Sequence, residues 1–204
     1  PQLAEETAQR HLNWSAPFHP GNAKLAVLAF HGEVYRALGA ERWNAADFDF
    51  AQERLRIISG LYGWLRPLDL IQEYRLEMGT KWAPNQENNL YGFWGDQLAQ
   101  SLAEDADSGT IVNLASAEYA KAMRLNTLDT PVVTCTFKEE RDHGFKLIGT
   151  YAKHARGRMA GFIVKERISK VSDLLDFNEG GYSFNEQIST EDQIVFTRAS
   201  KTAS

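Results

Sequence analysis

The chain has 204 residues, of which 43% are hydrophobic and 24% charged, and its formal net charge is −5. These values are typical of soluble globular proteins, and the length suits one domain with a well-buried core. No apolar run approaches the roughly 20 residues that cross a bilayer, which excludes a membrane-spanning helix. The single cysteine cannot form an internal disulfide, and no signal-peptide pattern opens the chain. We therefore predict a cytoplasmic protein with one domain over residues 1–204.

The predicted elements alternate between helices and strands. Helices are predicted over residues 3–14, from a cap at Asn22 to a break at Gly32, over residues 46–55, 90–102 and 153–168, and from Ser116 onward. Strands are predicted over residues 111–114, 132–137 and 145–151, and residues 141–144 join the last two as a hairpin. Residues 55–58 suit either a helix end or a short strand. This order predicts an α/β (mixed α+β) fold, a single compact domain with a mixed sheet flanked by helices.

A glycine-punctuated turn stands between two apolar runs in residues 58–69, Ile-Ser-Gly-Leu-Tyr-Gly-Trp-Leu-Arg-Pro-Leu-Asp. Gly60 and Gly63 allow a positive φ and a close approach of the backbone to a ligand. Ser59 and Arg66 are donors of the kind that phosphate oxygens accept from. The segment is therefore either a phosphate-binding turn or a purely structural one.

The segment from residue 146 to 170 is strongly basic inside an acidic protein, with seven Lys and Arg residues against the single acid Glu166. On a helical wheel the buried stripe consists of Ala155, Met159, Phe162 and Ile163. Lys153, Arg156 and Arg167 flank it on one side, and His154, Arg158 and Lys165 flank it on the other. Local positive potential is what phosphate binding requires, although a solvated helix face has the same composition.

Polar and aromatic residues elsewhere also have two interpretations. Asn113 and Ser116 stand where a strand ends and a helix begins, a position that either binds ligands or caps the helix. Two clusters with aromatic residues either stack on exposed bases or fill the core. One consists of Tyr74, Arg75, Glu77 and Lys81, and the other of Tyr91, Phe93 and Trp94.

Signals for catalysis or metal binding are weak. The five histidines show no metal-ligand spacing, and no nucleophile elbow, Walker loop or zincin motif occurs. Cys135 lies in an alternating apolar run and is predicted to be buried in a strand rather than to act as a peroxide-sensing thiol. We predict no cofactor and no metal.

Five motifs together resemble the YaaA family of peroxide stress resistance proteins. Besides the turn at residues 58–69, they are Tyr-Arg-Leu-Glu-Met-Gly at 74–79, Phe-Trp-Gly-Asp at 93–96, Asn-Leu-Ala-Ser-Ala-Glu-Tyr at 113–119 and Lys-His-Ala-Arg-Gly at 153–157. The resemblance extends over residues 3–198. It implies an N-terminal strand with a Ser-Pro-Ala-Lys signature, which is absent from this numbering because the chain begins at Pro1.

The resemblance implies a DNA-binding protein without sequence preference, acting on duplex or branched DNA through its phosphates. In that family the role is to limit oxidative DNA damage and free intracellular iron during peroxide stress, and the fold contains a positively charged cleft and a helix-hairpin-helix-like element. Carried over by motif, the cleft is lined by Ser59, Arg66, Arg75, Lys81, Lys153, Arg156 and Arg158. The chain departs from the family pattern in the spacing of Gly60 and Gly63. His31 and His154 stand where many members carry lysine.

The alternative is a haem- or iron-dependent oxidative enzyme of a biosynthetic pathway. The resemblance implies this because some relatives are associated with oxidation involving haem. His31 or His154 would then ligate iron, and Arg75 and Glu77 would position a substrate. The sequence favours the DNA-binding hypothesis over the enzymatic one.

Overall fold

Short helices and strands alternate along the chain in the computed structural model, which describes residues 18–83, 87–106 and 109–199. The α-helices are α1 (Ala26–Ala29), α2 (Glu33–Leu38), α3 (Ala45–Arg54), α4 (Leu90–Trp94), α5 (Gln97–Asp105), α6 (Ala117–Ala122) and α7 (Gly149–Lys165). The strands are β1 (Lys24–Leu25), β2 (Ile57–Ser59), β3 (Gly63–Leu65), β4 (Leu70–Ile71), β5 (Ile111–Asn113), β6 (Val132–Arg141), β7 (Gly144–Lys146), β8 (Ser183–Phe184) and β9 (Gln193–Arg198). The predicted mixed α/β fold is confirmed.

The main sheet is mixed, and its longest strand, β6, lies at the centre. β5 and β9 pair with β6 in parallel, β8 pairs with β9 antiparallel, and β7 folds back on β6 as the predicted hairpin. Alternate residues of β6 point to one buried face, among them Val133, Cys135 and Phe137. The same alternation places the carboxylate of Glu139 on that buried face, where it is 1% exposed.

Two further pairs of strands lie outside the main sheet. β1 pairs with β4, and β2 pairs with β3, both antiparallel. The β2–β3 hairpin contains the glycine turn, so residues 55–58 end in a strand and not in a helix. The predicted helix-hairpin-helix-like element is therefore not formed by this segment, because strands stand on both sides of the turn.

Helix α7 packs between the main sheet and α2. Ala155 and Met159, which are 1% and 0% exposed, face the sheet as the predicted stripe requires. Ala160 and Val164 face a second core that contains Leu38 of α2. The helix begins at Gly149 and not at residue 153, so the predicted strand at 145–151 is confined to β7. Ala152 in the first turn is fully buried, and this tertiary contact outweighs the local strand propensity.

Two further predicted helices differ from the observed ones in their bounds. Asn22 caps no α-helix but lies in the 3-10 turn Pro20–Asn22, and α1 already ends at Ala29, so Gly32 breaks no helix and is instead the N-cap of α2. The predicted helix at 90–102 is divided into α4 and α5 at Gly95, whose φ is +52°. α3 matches its prediction within one residue. The prediction for residues 3–14 lies outside the described residues.

The crossing of α2 and α7 is close because α7 carries glycine at 157 and 161. A Cβ at Gly157 would stand 2.1 Å from the carbonyl oxygen of Val34 and 2.8 Å from the Cβ of Ala37. A Cβ at Gly161 would stand 3.0 Å from the carbonyl oxygen of Leu38. The backbones of the two helices therefore touch at a distance that no larger residue permits.

We expect Gly157→Ala to lower the free energy of unfolding by roughly 3 kcal/mol, because the added methyl group must push α2 away from α7. Gly161→Ala, with its longer contact, should cost less. Gly149→Ala is the matched control on the same helix, since nothing lies within 4 Å of its added Cβ, and it should stabilise the protein by about 0.5 kcal/mol. Urea unfolding of the three variants measures this order, and equal midpoints would contradict it.

A buried carboxylate ties the end of α7 to α3. Asp47, which is 2% exposed, accepts hydrogen bonds from Lys165 Nζ and, at 2.8 Å, from Arg167 Nη2. It also forms a capping box with Asn44 at the start of α3. The hydrogen bond from Lys165, followed by those from the Asn44 backbone and Arg167, holds the pKa of Asp47 below its ordinary value against the opposing effect of burial.

Because the folded pKa of Asp47 is depressed, the unfolded chain binds a proton first as the pH falls. The contribution of ionised Asp47 to the stability of the folded protein is present at neutral pH and is lost as the pH drops below about 4. We expect Asp47→Asn to flatten the decline of stability between about pH 5 and pH 2. Asp49→Asn, an exposed position on the same helix, is the control and should keep the wild-type slope. Denaturant titrations at each pH measure how steeply the stability of both variants falls with pH. A decline as steep as that of the wild type in Asp47→Asn would show that Asp47 does not cause the loss of stability in acid.

Candidate nucleic-acid interface

One flank of α7 borders a groove with several cationic side chains. Two adjoining pockets share Arg158, and together we call them the basic groove. The first is lined by Tyr151, His154, Ala155, Arg158, Tyr182 and Arg198, and the second includes Gly39, Arg42, Arg158, Gly161, Lys165 and Glu179. His154, Arg158 and Lys165 belong to the flank that the helical wheel predicts.

Arg158 and Arg42 are the unpaired cations of the basic groove. Within the described part of the chain, neither guanidinium forms an ion pair or a hydrogen bond, although the carboxylate of Glu179 lines the same pocket. Each lies against a glycine of positive φ, Arg158 against Gly180 and Arg42 against Gly39. A Cβ at either glycine would stand 2.2 Å from a guanidinium nitrogen. Backbone packing therefore positions the two arginines and leaves their hydrogen-bond donors unused.

The other basic residues of the groove contact carboxylates. Lys165 contacts Asp47, and His154 contacts Glu33 at the start of α2. Arg198 donates from Nε to both carboxylate oxygens of Glu139, at 2.9 and 2.7 Å. These pairs hold the walls of the groove together, so Arg158 and Arg42 are its cations without an ion pair in the described part of the chain, although Glu179 lines the same pocket.

The opposite flank of α7 is not continuous with the basic groove. Lys153 is exposed, and Arg156 is half-buried without an acceptor among the described residues. Burial lowers the pKa of Arg156. Arg167 turns away to pair with Asp47. Since Arg156 and Arg158 lie about 200° apart on the helix, the structure does not bring all the predicted cations into one cleft.

The glycine turn is filled by the protein's own side chains. Ser59 is 1% exposed, and its Oγ accepts from the backbone N–H groups of Leu61 and Tyr62, at 3.2 and 2.9 Å. It also lies 2.5 Å from the hydroxyl of Tyr74. The amides that would grip a phosphate are therefore already bonded to Ser59, and its hydroxyl is not available at the surface.

The two glycines of the turn serve packing against Trp94. Gly63 has the predicted positive φ, +70°, whereas Gly60 does not adopt one. Trp94 Nε1 donates to the carbonyl oxygen of Gly60 at 3.0 Å, and a Cβ at Gly63 would stand 2.6 Å from the Trp94 ring. These contacts favour the structural interpretation of the turn over the phosphate-binding one.

The remaining predicted cations fall into two groups. Arg66 donates to Asp105 at 2.9 Å, and Arg56 binds the same carboxylate. Arg75 and Lys81 are exposed and have no partner among the described residues. Arg75 and Lys81 thus remain available to a ligand, while the charge of Arg66 is compensated.

Asn113 and Ser116 lie together at the carboxyl end of β5. The side chain of Asn113 accepts from Ala115 N at 3.0 Å and donates to Thr134 Oγ1 at 3.2 Å. Ser116 occupies the N-cap position of α6, but its hydroxyl makes no capping hydrogen bond. Asn113 therefore shapes the loop, and the Ser116 hydroxyl has no hydrogen-bond partner among the residues that the structure describes.

The predicted aromatic clusters mainly fill the core. Tyr74 packs edge-on against Tyr62 at 5.4 Å, and burial raises its pKa to about 12. Phe93 and Trp94 pack edge-on at 5.0 Å. Glu77 lies at the border of this region, where Tyr119 donates to it at 3.4 Å. These contacts favour the core interpretation for Tyr74, Phe93 and Trp94.

Thiol and metal chemistry find little support in the described residues. Cys135 is 3% exposed, as predicted, and burial raises the pKa of its thiol to about 12. Residues 18–83, 87–106 and 109–199 contain no group of three or more His, Cys, Asp and Glu side chains that could hold a metal ion. Across the same ranges, no helix has the length and apolar composition to cross a bilayer.

Sequence reasoning missed half of the basic groove. Arg42, Tyr182 and Arg198 join it from distant parts of the chain, and only the fold brings them together. The predicted strand at 145–151 leaves Tyr151 outside the predicted helix, although helical periodicity places it one turn before Ala155.

Comparisons with known proteins assign the chain to a family. The family model described as peroxide stress protein YaaA matches residues 1–188. A UPF0246 protein of Cellvibrio japonicus is 48% identical over 200 residues, which cover 97% of this chain and 78% of the relative. A UPF0246 protein of Idiomarina loihiensis is 48% identical over 201 residues, with the same two shares. With a family match over most of its length and relatives of this identity, the chain belongs to the peroxide stress protein YaaA family.

Proposed function

We propose that this protein binds DNA without sequence preference through the basic groove and limits oxidative DNA damage during peroxide stress. Membership in the peroxide stress protein YaaA family supports the role in peroxide stress. The DNA in question is duplex or branched, and its phosphates are the groups recognised. Limitation of free intracellular iron stays a prediction, which intracellular iron measurements in a deletion strain would test.

One observation carries the DNA-binding proposal: Arg158 and Arg42 line one pocket, and neither forms an ion pair with any residue that the structure describes, Glu179 of the same pocket included. A guanidinium offers two parallel N–H donors, which match two oxygens of a phosphate group. Arginines that a protein fixes in place but leaves unpaired lose little conformational entropy when a phosphate binds. An anionic ligand is the chemistry that this arrangement suits best.

The types of side chain in the groove explain why no sequence preference is expected. Direct readout needs a helix or strand inserted into a groove of the DNA, with several side chains on base edges. The basic groove instead presents cations to phosphates, which every sequence provides alike. Outside the basic groove, three more cations are exposed and unpaired among the described residues and offer separate contacts to phosphates: Lys153, Arg75 and Lys81.

We expect the double variant Arg42→Ala with Arg158→Ala to weaken binding to all duplexes equally. The slope of log affinity against log salt should fall by roughly 2, because each phosphate that the protein no longer neutralises reduces it by about 0.9. Fluorescence anisotropy with two unrelated duplexes over a range of salt concentrations measures this slope.

Arg66→Ala is the matched control, since it removes the same charge from a site where Asp105 already compensates it. Its salt slope should stay near that of the wild type. An unchanged slope in the double variant, or an equal drop in Arg66→Ala, would remove the basic groove from the interface.

Peroxide protection should not depend on the thiol of Cys135. The buried strand position and the raised pKa keep the thiolate population low, and thiolate is the form that reacts with peroxide. We expect a Cys135→Ala strain to survive hydrogen peroxide as the wild type does when protein abundance is equal. Loss of survival at equal abundance would establish a thiol mechanism in place of the proposed one.

A further inference from the structure

The first pocket of the basic groove contains an arginine between two tyrosine rings. The guanidinium carbon of Arg198 lies 4.6 Å from the ring centre of Tyr151 and 4.7 Å from that of Tyr182. Glu139 holds Arg198 through two hydrogen bonds from Nε, and Gly180 accepts a third from Nη1 at 3.1 Å. A buried carboxylate and a backbone carbonyl therefore hold Arg198 in a stack of cation–π contacts with the two rings.

The inner and outer rings of this stack differ in exposure. Tyr182 is 3% exposed, and its hydroxyl donates to Glu139. Tyr151, in the first turn of α7, is 40% exposed. The stack thus ends in a partly exposed tyrosine ring that Arg198 contacts from within the protein.

Arg158 lines the same pocket as Tyr151, so an aromatic face and an unpaired guanidinium border one space. We propose that this pocket is a subsite for an unpaired nucleobase of a DNA strand, with the base stacked on Tyr151 and the adjoining phosphate bound by Arg158. This assignment rests on the proposed function and adds its preferred substrate, DNA with at least one unpaired nucleotide.

The chemistry of stacking favours an unpaired base over a paired one. Both faces of a base inside a duplex are occupied by its neighbours, whereas a base at a gap, bulge or branch exposes a face to the protein. Every base has such a face, so stacking is compatible with the absence of sequence preference. Arg198 behind Tyr151 polarises and fixes the ring, which reduces the entropic cost of binding.

The test compares two DNA duplexes of equal length and charge, one intact and one carrying a single unpaired 2-aminopurine. The wild type should bind the unpaired substrate about tenfold more tightly and quench its fluorescence. Tyr151→Ala should lower the affinity for the unpaired substrate to that for the intact duplex and abolish the quenching. Tyr151→Phe, which retains the ring, should preserve both.

Phe145→Ala is the matched control, because Phe145 is 39% exposed but lies outside the pocket. It should leave the preference unchanged. Equal affinity of the wild type for both substrates would overturn the subsite. A preference that persists in Tyr151→Ala would overturn it as well. Both results would leave the DNA-binding proposal standing. Equal weakening of both substrates by Tyr151→Ala would make Tyr151 an ordinary backbone contact and overturn the subsite. Failure of the wild type to bind either DNA would overturn the proposed function itself.

Discussion

The close crossing of α2 and α7 at Gly157 and Gly161 is the contact on which the basic groove depends. It brings the carbonyl oxygens of Val34 and Leu38 against the α7 backbone, so the end of α2 is fixed relative to the middle of α7. The chain turns immediately after α2 into the 3-10 segment Ala40–Arg42, which places Arg42 beside Arg158. A wider crossing would separate the two arginines and open the pocket between them.

The register of the main sheet supplies the second constraint. Glu139 of β6 stands directly opposite Arg198 of β9, so strand pairing alone aligns a buried carboxylate with its guanidinium. A buried carboxylate without that partner would be costly, and the pair in turn holds Arg198 between two tyrosine rings. The charge at this end of the groove is thereby cancelled, while its aromatic surface is kept. Fold stability and the geometry of the proposed subsite depend on the same pair of residues.

Local periodicity predicted α7, its buried stripe and its two basic flanks, because these depend on neighbours three and four residues apart. The glycine turn shows where such reasoning stops. Ser59 and Gly60 suit a phosphate as well as a tight hairpin, and the choice is made by Tyr74 and Trp94, which lie far along the chain. Arg42 carries no local signal at all. Its position next to Arg158 follows only from the helix crossing.

The protein is acidic overall, yet its proposed interface is cationic. Most charges of the groove are paired, so the positive potential there comes from a few arginines. Only local potential within about a Debye length acts on a bound phosphate, so distant acids matter little at physiological salt. A small number of free arginines gives binding that is weak and sensitive to salt. Stacking on Tyr151 is a contact between uncharged rings and is screened far less. In the proposed subsite, discrimination for an unpaired base would persist at salt concentrations where the attraction to intact duplex fades, and this would direct the protein to interrupted DNA within an excess of undamaged duplex.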